Sequence, residues 1–230
     1  MRQVLVWVMA LAVIGAGGMA SADALDNWDV SCGAEPGAVV HEADSWTFRP
    51  SRDFCNADSP YRRSEIASGR ISATTRGAWL FSTNVTLRVD RYAPFDIFRV
   101  HDGRTGCTPP LKLNVTEKGR LRFVAGLPSP EGQECVTTDL TAEPSQGLLR
   151  RDGVEQKLEV LVVFDGSGGF EATAMLDGRP ELKGVYVPGD PQPARGAGFE
   201  FRHGVFTPED FAFELQSRDL SVSRVRVTSN

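Results

Sequence analysis

This 230-residue chain has no apolar run long enough to span a bilayer, and even Val4 to Ile14 is too short. It has no convincing amphipathic helix, no internal repeat and no linker-like stretch. One domain built without helical layers is therefore expected. No Cys-x-x-Cys occurs, and the four cysteines are widely spaced, which argues against a structural zinc site; no metal or other cofactor is expected. No Gly-x-Ser-x-Gly elbow is present, so a nucleophilic serine has no recognisable seat. The chain also lacks an excess of positive charge. Its 25 basic residues face 30 acidic ones, which makes nonspecific nucleic-acid binding a poor reading. Tyrosine is scarce, with only Tyr61, Tyr92 and Tyr186, and this restricts which residues can act as a phenolic acid.

The N-terminus has the features of an export signal. Arg2 gives a positive start, Val4 to Ile14 is apolar, glycines follow, and Ala20-Ser21-Ala22 is a small-x-small cleavage site. Residues 1–22 are read as signal peptide and 23–230 as the mature domain, secreted or periplasmic, with no membrane partner and a monomeric state expected. The mature charge is 24 − 30 = −6, which still permits a local basic groove. Cys32, Cys55, Cys107 and Cys135 are even in number in an exported chain, which favours disulfides. Three pairings are possible; Cys32–Cys55 and Cys107–Cys135 enclose the shorter loops.

Strand patterns recur throughout. Trp79 to Val89, Leu111 to Val115, Lys157 to Phe164, Phe170 to Leu176, Val185 to Val187, Phe199 to Phe206 and Leu220 to Val227 are separated by Gly, Pro, Asp and Asn clusters. Asp165 to Gly169 and Asp177-Gly178 are hairpin turns by composition. Pro128 to Gly153 is expected as a long loop, Gly189 to Gly198 as another, and Thr207 to Asp210 as a single helical turn. The pattern predicts an all-β fold, a jelly-roll sandwich of two curved antiparallel sheets. Trp79, Phe81, Leu87, Phe98, Val100, Leu111, Leu113, Val160, Val162, Phe164, Phe201 and Val205 are its expected core.

Three segments carry charge at strand spacing. They are Tyr61-Arg62-Arg63-Ser64-Glu65-Ile66, Phe98-Arg99-Val100-His101-Asp102 and Phe201-Arg202-His203-Gly204-Val205-Phe206. Alternation puts Arg63 with Glu65 on one face, and Arg99 with His101 opposite Phe98 and Val100. If these faces share a groove, the groove is cationic and holds a titratable histidine, which suits an anionic polymer.

Taken in order, the segments resemble the signature strands of the concanavalin A-like jelly-roll polysaccharide lyases, the group with alginate, glucuronan and heparin lyases. That pattern has Arg-Ser/Thr-Glu early, Gln-Ile/Val-His in the middle and Lys-x-Gly-Val/Ile-Tyr late. Here the positions read Arg63-Ser64-Glu65, Arg99-Val100-His101 and Arg202-His203-Gly204-Val205-Phe206. The resemblance implies β-elimination on an acidic, uronate-containing polysaccharide. Arg63 would grip the carboxylate, Arg99 would assist, His101 would be base or neutraliser, and Arg202 would hold a further acidic unit. Glu65, Lys112 and Phe206 would line the substrate path. Such chemistry needs donors aimed at the charge developing on the carboxylate, a base for the adjacent proton and an acid for the leaving oxygen.

The chain departs from the pattern twice. Arg99 replaces an amide, and Phe206 replaces a phenol and has no proton to give. Tyr61, two residues before Arg63, is the candidate substitute. Phe206 keeps open a second reading, a noncatalytic carbohydrate-binding protein of the same fold. A glycoside hydrolase ranks last, because no Glu-x-Asp-x-Glu strand offers two facing carboxylates at roughly 5 to 9 Å. Plainer readings stand beside these. Arg63 and Glu65 also fit a surface ion pair, and His101 a strand-end residue. His203 alternates onto the apolar face as a core histidine. His41, beside Glu42 and Asp44, fits a solvated loop. Asp165, Asp177 and Asp190 fit turns. Asn84-Val85-Thr86 and Asn114-Val115-Thr116 match the glycosylation tripeptide, which is common by chance.

Overall fold

A computed structural model describes residues 24–31, 34–52, 62–102, 109–128, 135–188 and 198–227. Residues 1–23, which include the expected signal peptide, and Tyr61, Cys32, Cys55 and Cys107 lie outside the described residues, as does most of the Gly189 to Gly198 stretch. A short 3-10 turn, Ala24–Asp26, precedes fifteen strands. These are β1 Trp28–Val30, β2 Val39–Glu42, β3 Ser45–Phe48, β4 Arg62–Ser68, β5 Ile71–Ser72, β6 Arg76–Val89, β7 Phe95–His101 and β8 Leu111–Val115. Then come β9 Leu121–Pro128, β10 Cys135–Asp139, β11 Gln156–Asp165, β12 Phe170–Leu176, β13 Arg179–Tyr186, β14 Gly198–Thr207 and β15 Phe213–Val225.

They form two antiparallel sheets. One runs β1-β4-β14-β7-β8-β9-β10, with β5 paired to β14; the other runs β13-β12-β11-β6-β15-β3-β2. Strand alternation explains the sandwich. Along β6, Trp79, Phe81, Thr83, Val85 and Leu87 are buried, while Leu80, Ser82, Asn84 and Thr86 on the other face are only partly so. All twelve core positions named above are buried. Aromatic rings fill the space between the sheets. Phe81 meets Phe98 at 4.8 Å between centroids, and Phe164 meets Phe199 at 4.5 Å. Such pairs add about 0.5–1.5 kcal/mol each beyond the area they bury.

The turns follow their residues. Asp165 accepts hydrogen bonds from the Ser167 and Gly169 amides at 2.6 and 3.1 Å and closes the β11–β12 loop. Asp177 and Gly178 both have positive φ, 51° and 75°, as a tight hairpin between right-twisted strands requires. Four expectations need correction. Thr207 to Asp210 forms no helical turn; the Thr207 side chain instead accepts the Glu209 amide at 3.0 Å, a local bond that competes with helix. The stretch from Pro128 to Gly153 is not all loop, because β10 pairs with β9 inside it. Val185 to Val187 is only the end of a longer strand, β13. His41 is on strand β2, stacked on Trp46 at 4.0 Å, because the 43–44 turn folds β2 back onto β3. Among the described residues no helix is long and apolar enough to cross a membrane.

Candidate functional site

Four adjacent strands, β4, β14, β7 and β8, bring the three charged segments together on the outer face of one sheet. Gly204 faces Glu65, and Phe206 faces Arg63. Arg202 faces Arg99, and Glu200 faces His101. Arg99 faces Lys112. Their neighbours Ile66, Phe201, Phe98, Val100, Leu111 and Leu113 point the other way and are fully buried. Gly204 makes the close approach of β4 and β14 possible. Its φ is 137°, and a Cβ there would sit 2.2 Å from the Ser64 carbonyl oxygen.

The charges are organised around two buried carboxylates. Glu65, 1% exposed, accepts Arg99 Nε at 2.9 Å and Nη2 at 2.5 Å, a bidentate pair in which Arg99 is itself buried. Arg63 approaches the same carboxylate at 3.4 Å, yet its buried Nε makes no hydrogen bond. Glu200 accepts Arg70 at 2.6 Å and Arg202 at 2.8 and 2.6 Å. Four guanidiniums thus share two carboxylates, and 4 − 2 leaves a surplus of two positive charges. Burial pushes the Arg63 pKa below its usual value, and the Arg99 and Arg202 charges act the same way against the pull of Glu65.

His101 ends β7 beside this cluster. It is partly exposed, but its Nε2 is covered and has no hydrogen-bond partner. Burial, then Arg99, Arg202, Arg63 and Arg70, hold its pKa well below the usual histidine value. The ring is therefore neutral at physiological pH and available as a proton acceptor. An unpaired buried nitrogen forgoes about 1–3 kcal/mol, which a partner reaching it would recover.

Phe206 is half-buried between cations. The Arg99 guanidinium carbon stands 3.9 Å from its ring centre and that of Arg63 5.3 Å. Its quadrupole thus braces two like charges. Of the described tyrosines, Tyr186 packs in the core against Phe170, and Tyr92 lies against Arg151.

One plainer reading changes: Glu65 and Arg63 are not a surface ion pair, because Glu65 is 1% exposed and enclosed by Arg99 and Arg63. Arg99 is paired with Glu65 and is 2% exposed. Arg63, Arg202 and Lys112 keep partial exposure on the face. His203 is the core histidine that alternation implied. It is 0% exposed, its Nδ1 donates to the Ile97 carbonyl at 2.9 Å, and its Nε2 accepts the Ser217 hydroxyl at 2.6 Å from the opposite sheet. Burial lowers its pKa to about 4.

Several residues of this face were missed by the sequence reading. Arg70 and Glu200 complete the charge network; Glu200 is two residues before Arg202, so alternation alone marks it. Asp96, Asn114 and Arg122 extend the face along β7, β8 and β9. Asn114 donates to Asp96 at 2.9 Å and to the Phe95 carbonyl at 3.2 Å, and it accepts from Arg122 Nε at 3.2 Å. Counting back from Arg99 in twos places Asp96 inside. A β-bulge between Asp96 and Phe98 turns it outward instead, opposite Asn114.

No family model and no curated protein sequence matches this chain. Solved structures do match it in shape. An alginate lyase from Pseudomonas aeruginosa has a TM-score of 0.55 at 15% identity, over 82% of this chain and 86% of its own. A glucuronan lyase from the fungus Trichoderma reesei has a TM-score of 0.54 at 11% identity, over 87% and 88%. An alginate lyase of polysaccharide lyase family 7 gives 0.54 at 14%, over 87% and 95%. The two-sheet jelly roll read from the strand pattern is thus the fold of this chain, and it is a fold that polysaccharide lyases use.

Proposed function

We propose that this chain is an exported polysaccharide lyase that cleaves a uronate-containing polymer by β-elimination. One observation carries the reading: a neutral imidazole, His101, is set among arginines on the outer face of a sheet whose fold is shared with alginate and glucuronan lyases. Arg63 and Arg202 engage uronate carboxylates, and Lys112 lies along the same face. Arg99 and Glu65 fix the arginine geometry from below. The surplus positive charge stabilises the enolate-like carboxylate as the adjacent carbon loses its proton to His101.

Phe206 supports the second reading, a binding protein that keeps the polymer face without turnover, because a phenyl ring transfers no proton. The deciding experiment is incubation with alginate, glucuronan and heparin-like polymers, following the ultraviolet absorbance of an unsaturated uronate end. Under the lyase reading His101→Ala lowers turnover about a hundredfold to ten-thousandfold while polymer binding persists. Binding without any absorbance change selects the binding protein. Equal turnover in wild type and His101→Ala refutes His101 as the base.

A further inference from the structure

β-Elimination ends with a leaving glycosidic oxygen that must take a proton, and Phe206 has none to give. We propose that Asp96 is the acid that protonates this oxygen, an inference that rests on the lyase reading above. Asp96 is directly across β14 from Phe206 and across β8 from Asn114, on the face that carries Arg99 and His101. It therefore stands beside the position where a phenol is missing. Its side chain is almost covered, at 6% exposure, as a group that must hold a proton requires.

The hydrogen bonds fix which oxygen carries that proton. The Asn114 amide oxygen is taken by Arg122, so its amide nitrogen faces Asp96 and donates to Oδ1 at 2.9 Å. Oδ1 is thereby an acceptor, and the proton falls to Oδ2. Burial raises the Asp96 pKa against the opposing pull of Lys112, Arg99 and the Asn114 hydrogen bond, with the Glu65 charge acting in the same direction as burial. The other acids of the cluster are unsuited. Glu65 is enclosed by Arg99 and Arg63, and Glu200, despite its burial, is held below the usual carboxylate range by Arg202 and Arg70.

The step balances. His101 takes the proton from the carbon beside the uronate carboxylate, and that C–H pair becomes the new C=C bond. The C–O bond to the departing sugar breaks with its electron pair on oxygen, and the oxygen takes the Asp96 proton. Imidazolium and carboxylate remain, and proton exchange through solvent restores both.

The pH profile carries the signature. Activity needs His101 deprotonated, so it falls as pH drops through a depressed pKa. It also needs Asp96 protonated, so it falls as pH rises through a raised carboxyl pKa. The alkaline limb therefore reports the Asp96 carboxyl, and the acid limb reports His101. The test uses the full mature chain on whichever uronate polymer it cleaves. Asp96→Asn should lower kcat about a hundredfold to ten-thousandfold with KM little changed. Adding Phe206→Tyr to Asp96→Asn should restore turnover and move the alkaline limb upward. Infrared difference spectra of wild type against Asp96→Asn should show a protonated carboxyl band that disappears as pH rises. Full activity in Asp96→Asn, or a carboxyl already ionised at pH 4, overturns the inference and leaves the lyase reading standing. No cleavage of any uronate polymer by wild type overturns both.

Discussion

Glu65→Gln removes one negative charge from beneath the candidate site, and the structure sets the size of the effect. The Arg99 side chain is 3% exposed, and both of its nitrogens that reach Glu65 are directed at that one carboxylate. After the substitution four guanidiniums share only Glu200, and the surplus rises to 4 − 1 = +3. Breaking a buried pair from one side costs about 3–5 kcal/mol. Glutamine retains an acceptor oxygen, so the lower end, about 3 kcal/mol, is expected. Total stability for such a domain is about 5–15 kcal/mol, so this is a large fraction. It corresponds to a fall in Tm of about 6–12 °C at this chain length. Urea unfolding should show a lower midpoint with an unchanged slope. Adding Arg99→Met should recover most of the loss, because a buried ion pair is often replaced by apolar groups without penalty. A loss below about 1 kcal/mol, the range of an exposed pair, refutes the reasoning.

Three further outcomes are expected. His203 titrates near 4 when folded against 6.5 when unfolded, so the unfolded chain binds the proton first and stability falls as pH drops from about 6.5 towards 4. The difference of about 2.5 pH units amounts to roughly 3 kcal/mol, and His203→Gln should flatten that part of a plot of urea midpoint against pH. Binding of an acidic oligouronate, followed by titration calorimetry, should weaken as sodium chloride is added. Arg63→Ala should reduce it more than His41→Ala, and equal affinity for a neutral glucan would refute the cationic face. The denatured, unreduced protein should show no reactive thiol, the outcome expected of four cysteines paired in disulfides. Two or more titrating thiols would contradict the disulfide reading.

The core was legible because one rule governs it. In β8, in β12 and from Trp79 to Leu87 of β6 the side chains alternate without interruption, so a period of two names the buried residues correctly. The same rule put Arg63, Arg99, His101 and Arg202 on shared faces, and it turned His203 inward. It failed where the backbone breaks register. The bulge in β7 hides Asp96 from any count made along the sequence. Short strands also escaped: β1, β2 and β3 have only three or four residues each, and β1 and β3 pair with β4 and β15 far along the chain. The fate of the charges was illegible for a different reason. Whether Arg99 reaches a ligand or a carboxylate depends on the strand order, which puts β4, more than thirty residues away in sequence, just across β14 from β7.

Because each strand of the charged sheet shows one face to solvent and the other to a wall of aromatic rings, heredity can rewrite the two separately. Exchanging Phe206 for tyrosine adds a single oxygen on the outer side, while its neighbours Val205 and Thr207 remain locked inside. Gain or loss of chemistry at this position therefore asks nothing of the scaffold. Under the proposed function, the step between cutting a polymer and merely holding it then needs no change in the protein's architecture.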